Sequence, residues 1–328
     1  MSMLKYIIKR LGLMLLTLFI IQTMLFFLVR CLPVQITCAP GTDTCETLKV
    51  QREAMGFNRP LAVQWWIYLR SIITFTYKPK GYNMYTGQGV YTVLFAKMPN
   101  TMFVNFLSLI LAIPLGLVFG VIAALKKNKW QDQVISVLVM LVISVPSFVY
   151  AFLIQWLWTR NPSNPAVVYA FQNIGVSYVN GHLMTFWDVL YSYLPAILCL
   201  SLGVIAGLTR FTRAELTEVL TSDFMLLARA KGMSRRQATI KHAMRNAMVP
   251  IIPSIMGEFI GIIGGSLIIE QFFAIPGVGK LYLQSIQEVD YFFFLSLSMF
   301  YVIIGLLSGL IIDMSYGWVD PRIRMGAK

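Results

Sequence analysis

Charge is what this sequence has least of. Asp, Glu, Lys and Arg together make up 12% of its 328 residues, whereas a soluble domain carries roughly a quarter. With 57% hydrophobic residues, a globule in water would lack a polar coat, so part of the apolar surface must face lipid. Histidine is nearly absent: His182 and His242 stand far apart and have no acidic companion motif, which argues against a histidine metal site. Cysteine is scarce as well. Cys31, Cys38, Cys45 and Cys199 include no CxxC pair and so make no metal pattern. Cys38 and Cys45 fall in a polar loop rich in Pro, Gly and Thr. Outside the cell they would form a small disulfide, two free thiols being the alternative. Acidic residues are outnumbered by basic ones, 14 to 27, for a formal net charge of +13. The basic residues cluster between apolar segments and not on one amphipathic face, which excludes a nucleic-acid partner.

What the chain does have is long apolar runs. A bilayer core needs about 20 such residues per helix, and six stretches qualify, at approximately 11–29, 102–125, 134–158, 190–208, 247–269 and 292–312. The first follows Lys5, Lys9 and Arg10 like a signal peptide. It is longer than the ~7–15 apolar residues of one, and Arg30 precedes Cys31 where a small residue is needed, so it is expected to be retained. Lys and Arg set the orientation. With the N-terminus inside, the inner flanks include Lys126, Lys127, Lys129 and eight basic residues between Arg210 and Arg245, whereas the short outer loops hold only Arg160 and Lys280. Both termini are therefore expected in the cytoplasm, and the fold class is an all-α integral membrane protein with six transmembrane helices. Pro114, Pro146, Pro195, Pro250 and Pro253 fall within or at the starts of spans, where membrane helices tolerate them. Glycines at four-residue spacing (Gly116/Gly120, Gly203/Gly207, Gly257/Gly261/Gly265, Gly305/Gly309) predict close helix packing. Between spans one and two, Gln64–Leu69 with Trp65, Trp66 and Tyr68 reads as an interfacial helix.

The longest inner loop, Arg210 to Asn246, has internal order. Ser222 and Asp223 are good N-caps for a short helix from Phe224. Gly232 is a natural C-terminal stop, and Ser234 with Gln237 makes a capping box opening a basic helix through Arg236, Lys241, His242 and Arg245 toward Pro250. Such a short helix suits docking; a merely solvated connector is the plainer alternative.

Ala228-Arg-Ala-Lys-Gly232-Met-Ser-Arg-Arg236, followed by His242-Ala-Met-Arg-Asn-Ala247 and Pro250, resembles the EAA loop of ABC importer permeases, specifically the dipeptide/oligopeptide/nickel group. Leu226-Leu227-Ala228 stands where the family pattern has Glu-Ala-Ala, so a role of that Glu does not carry over. Lys5–Arg10 with the first span, Arg52–Pro60, Glu270–Lys280 and Asp320–Arg324 resemble further segments of the B-type subunit in the same order. The resemblance implies a type I importer permease fold, divided into a peripheral N-terminal helix (1–30), an extracytoplasmic segment (31–100), a core (101–314) containing a coupling loop (210–247), and a cytoplasmic tail (315–328). It also implies a second permease, two cytoplasmic ATP-binding subunits, an extracytoplasmic substrate-binding protein and a peptide substrate. The coupling residues would be Ser222, Asp223, Arg229, Ala230, Lys231, Gly232, His242 and Arg245.

No catalytic constellation or cofactor site belongs to the chain itself. Pro276-Gly-Val-Gly-Lys280 superficially resembles a phosphate loop, but Leu281 stands where Ser or Thr is needed and Ala274 where the first Gly belongs. ATP and its magnesium would therefore sit on partner subunits. Glu258, near the middle of the fifth span, is a site hypothesis by its depth. With Gly261 and Gly265 it is the candidate lining of the passage, meeting a peptide amine; pairing with a neighbouring helix, or protonation, is the alternative. Glu270 and Asp313 are expected at span ends, where solvation is easier. Nickel chelates or another cargo remain open within the family, and a secondary transporter without ATPase partners is the reading outside it.

Overall fold

The computed structural model describes residues 3–31, 58–73, 89–287 and 291–319. Cys38 and Cys45, most of Arg52–Pro60 and the Asp320–Arg324 tail lie outside the described residues. Helices α1 (Met3–Cys31), α2 (Leu61–Ile73), α3 (Val90–Leu125), α4 (Trp130–Ser144) and α5 (Ser147–Thr159) precede a two-stranded hairpin, β1 (Tyr178–Val179) and β2 (His182–Leu183). Then follow α6 (Phe186–Leu220), α7 (Asp223–Ala230), α8 (Arg235–Ala238), α9 (Met244–Gly261), α10 (Leu267–Phe272), α11 (Val278–Gln287) and α12 (Tyr291–Val319). Among the described residues, five helices are long and apolar enough to cross a membrane, and α4 with α5 makes a sixth, broken candidate bent by 100°.

That bend corrects the single straight span expected at 134–158. Pro146 is the N-cap residue of α5, and Val145 before it is extended, φ −82° and ψ 126°. A residue preceding proline is pushed out of the helical region, so the ladder stops there. Neither 15-residue α4 nor 13-residue α5 reaches across ~30 Å of hydrocarbon at 1.5 Å per residue. Pro99, Pro114, Pro195, Pro250 and Pro253, by contrast, sit inside continuous helices.

The loop expected from Arg210 starts later, because α6 stays helical to Leu220. Its buried stripe of Leu208, Thr212 and Leu216 continues at four-residue spacing past the end of the apolar run. At 35 residues, α6 is about 52 Å long and projects beyond the hydrocarbon layer.

The chain divides into two compact units. One comprises chiefly residues 98–280 and 307–328. Its outer core gathers Val104, Tyr193, Ala196, Ile269 and Phe273, and its inner core Leu216, Met225, Ala238, Ala247 and Ile251. The other comprises residues 4–97 and 281–306. Here Phe26 stacks on Tyr68 at 5.3 Å, and the Tyr68 hydroxyl donates to Gln22 Oε1 at 2.8 Å.

The glycine rows do different jobs. A Cβ on Gly116 would lie 3.0 Å from Leu208 Cβ and one on Gly120 2.5 Å from Thr212 Cβ, so α3 and α6 do approach closely. A Cβ on Gly207, Gly261, Gly305 or Gly309 would meet nothing within 4 Å.

Candidate coupling and translocation sites

Helix α7 has two faces. Met225 and Ala228 are buried in the inner core against residues of α6, α8 and α9. Phe224, Leu226 and Leu227 point outward, the two leucines 62% and 57% exposed, with Asp223, Arg229, Ala230 and Lys231 exposed around them. The two leucines thus stand side by side on the face of this short helix that turns away from the core.

The ends of α7 are fixed by local chemistry. Gly232 N donates to Arg229 O at 3.0 Å and Met233 N to Ala228 O at 3.3 Å, the bond pair of a Schellman stop. Gly232 has φ +86° and open space around it, so the backbone conformation alone demands glycine there. Ser222 occupies the N-cap position without capping: its hydroxyl donates to Val219 O at 2.6 Å. The Ser234–Gln237 box forms as the sequence predicts, Gln237 N donating to Ser234 Oγ at 3.3 Å and Ser234 N to Gln237 Oε1 at 3.2 Å. The basic helix beyond it is not regular. Thr239–Ala243, carrying Lys241 and half-buried His242, is a π turn. Arg245 is exposed one residue into α9.

A pair 81 residues apart ties this region to the membrane helices. Arg213 of α6 donates through Nε to Asp132 Oδ1 at 2.5 Å and through Nη2 to Oδ2 at 2.8 Å. Asp132 is 3% exposed, and the Asn128 amide donates to it at 2.9 Å. Such forked pairs are geometrically specific. The inner turn between α3 and α4 is thereby fixed to the segment of α6 that leads into α7.

Glu258 lies in the last turn of α9, within the candidate membrane span Arg235–Gly264. It borders an open groove of about 320 Å³ lined by Gly203, Gly207, Phe211 and Ser254, and a smaller one of about 110 Å³ lined by Asn105, Ser108 and Gly261. Glycine at 203, 207 and 261 leaves this space free. Gly265 does not belong to it. There the backbone turns with φ +65°, and a Cβ would run into Glu270 Oε1.

Glu270 is fully buried, contrary to the solvated boundary position expected for it. Thr101 Oγ1 donates to Oε1 at 2.8 Å, while Gly279 N at 2.7 Å and Lys280 N at 3.3 Å donate to Oε2. Thr101 Oγ1 also accepts from Val278 N at 2.8 Å. The loop that resembled a phosphate cradle thus wraps a carboxyl group belonging to the chain itself. Burial pushes the Glu270 carboxyl above the ordinary carboxylate range, against the opposing pull of those donors. The neighbouring Asn100 completes the knot. Its Nδ2 donates to Pro276 O at 3.2 Å and Gln172 Oε1 at 3.1 Å, and its Oδ1 accepts from Phe171 N and the Tyr193 hydroxyl. Sequence reasoning missed Asn100, Thr101 and Glu270. The available signal was a polar pair opening an apolar span and a lone acid in the apolar stretch between Gly265 and Gly277.

Segment 160–188 folds as a cap over the adjoining ends of α5 and α6. Asn180 and Gly181, both at positive φ, turn the β1–β2 hairpin, in which Tyr178 faces Leu183. Trp158 Nε1 donates to Pro165 O at 3.0 Å, and Tyr191 OH to Asn164 Oδ1 at 2.6 Å. Val176, Tyr178 and Trp187 are left exposed.

The chain is 34% identical over 323 residues to the dipeptide transport system permease protein of Lactococcus lactis subsp. cremoris, covering 98% of this chain and 100% of that one. It is 33% identical over 331 residues to the protein of the same description in Bacillus subtilis, covering 99% and 100%. To the glutathione transport system permease protein of Escherichia coli strain K12 it is 29% identical over 325 residues, covering 98% and 99%. The family model described as binding-protein-dependent transport system inner membrane component matches residues 116–325, and its N-terminal companion residues 3–105. The chain belongs to this family of multi-pass inner-membrane permease components.

Proposed function

We propose that the chain is one permease subunit of an ATP-driven peptide importer, forming half of the translocation pathway and docking a cytoplasmic ATPase through α7. Peptide cargo is supported by relatives named for dipeptide and glutathione transport that align along their whole length. In this reading a second permease completes the pathway, two ATP-binding subunits with their magnesium supply the energy, and an extracytoplasmic binding protein delivers the peptide. The exposed aromatic and apolar residues of the outer cap, Tyr178 and Trp187 among them, suit the outer partner.

The observation that carries the coupling role is the two-faced α7. Its outer leucines would seat in a groove of the ATPase, while Met225 and Ala228 hold the inner face to α6 and α9. Closure of the ATPases would then move α7, and with it the helices that border Glu258. Asp132–Arg213 makes the inner end of α6 follow as one body with α4.

The test is gentle detergent purification of the chain with its native partners, followed by peptide-stimulated ATP hydrolysis. Recovery of ATP-hydrolysing subunits, lost in Leu226→Asp/Leu227→Asp, supports the assignment. A stable complex without any ATPase overturns it in favour of a secondary transporter.

A further inference from the structure

We infer that the groove beside Glu258 is a binding site for a primary ammonium group, the amino terminus of the peptide in transit. The inference rests on the importer assignment above and adds which part of the cargo this chain recognises.

Four observations converge on it. First, among the described residues Glu258 has no hydrogen-bond or ion-pair partner, although it lies within a candidate membrane span. A carboxylate at such depth is costly and is kept for a partner or a passage. Second, among the described residues no other ionisable one lines either part of the groove. Third, Glu258 belongs to the last turn of α9, which ends at Gly261 and breaks through a single 3-10 turn, Ile262–Gly264. The carboxyl end of a helix is the negative pole of its dipole. A second negative charge is unfavourable there and a cation favourable. Broken helices near the bilayer midplane, with their carbonyl ends facing a cavity, suit cation binding for the same reason. Fourth, the groove is held open by glycine where a side chain would fit: Cβ atoms on Gly207 and Gly261 would meet nothing within 4 Å. These positions were expected to bring helices together, and they make room instead.

A zwitterionic peptide must carry its ammonium through an apolar layer, where an uncompensated charge is expensive. Glu258 supplies the compensating charge halfway, and Ser254 and Ser108 border the same groove with hydroxyls. Among the described residues the lining contains no base, so the cargo's carboxylate is met elsewhere.

The experiment uses the complete complex in proteoliposomes, supplied with binding protein saturated by a dipeptide or by its des-amino analogue, so that differences in capture drop out. Wild type is expected to carry the dipeptide about tenfold faster, the yield of one charge-assisted hydrogen bond. Glu258→Asp should keep the preference and Glu258→Gln should bring the ratio to unity. A wild-type ratio of one, or a preference unchanged in Glu258→Gln, overturns the inference while leaving the importer assignment intact. Failure of wild type to carry either compound while hydrolysing ATP overturns the peptide assignment itself, and this inference with it.

Discussion

Glu270→Ala tests the outer knot most directly. Removing the carboxylate leaves the Thr101 hydroxyl and the Gly279 amide, both buried and now bonded at 2.8 and 2.7 Å, without their acceptor. An orphaned buried donor costs about 1–3 kcal/mol, so the pair costs about 2–6 kcal/mol. The longer Lys280 bond at 3.3 Å adds less. Total stability of a domain is about 5–15 kcal/mol, so the loss is a large fraction of it. The assay is the fraction of purified complex that stays monodisperse after heating, followed by size exclusion. The midpoint should fall by about 5–15 °C. Gly277→Ala should lower it too, by a separate route, since its Cβ would be driven onto Glu270 Oε2 and Thr101 Oγ1. The pH dependence gives an independent check. Because burial raises the Glu270 pKa in the native state, folding favours the protonated form. That contribution is full below the unfolded-state value and is lost as pH rises through the native one. Wild type should therefore lose stability relative to Glu270→Gln on going from acid toward neutral pH. A fall of less than about 2 °C for Glu270→Ala, together with parallel pH profiles, would refute the buried-anchor account.

Gly232→Ala must adopt φ +86° with a side chain, costing about 1 kcal/mol; coupled transport should drop more than basal ATP hydrolysis, measured in the same proteoliposomes. Asp132→Asn removes one charge of the forked pair with Arg213, and hydrogen exchange of the 126–132 turn should accelerate while Asp132→Glu accelerates it less. Gly120→Val places a branched side chain where Thr212 Cβ is already 2.5 Å from the Cβ position, and overpacking of about 1–3 kcal/mol should lower the yield of folded protein; an unchanged yield would mean that α3 and α6 do not approach so closely.

The sequence by itself determined what depends on a few neighbouring residues or on long apolar runs. Five of the apolar stretches are helices long enough to span; the Schellman stop at Gly232 and the Ser234–Gln237 box follow from groups three to five residues apart along the chain. Glycine at 116 and 120 announced close packing correctly because its partner, α6, offers its own stripe. Tertiary structure alone decided the rest. Nothing local says that Asp132 meets Arg213, or that Thr101 meets a carboxylate 169 positions away. Identical glycine spacing closes one helix pair at Gly116 and Gly120 and opens a groove at Gly203 and Gly207, because the outcome depends on whether a neighbour packs there. Pro114 and Pro146 looked alike in sequence; one lies within α3 and the other lies in the 100° break before α5. A proline sets which bond is missing, and the packing around it decides whether the helix bends or continues.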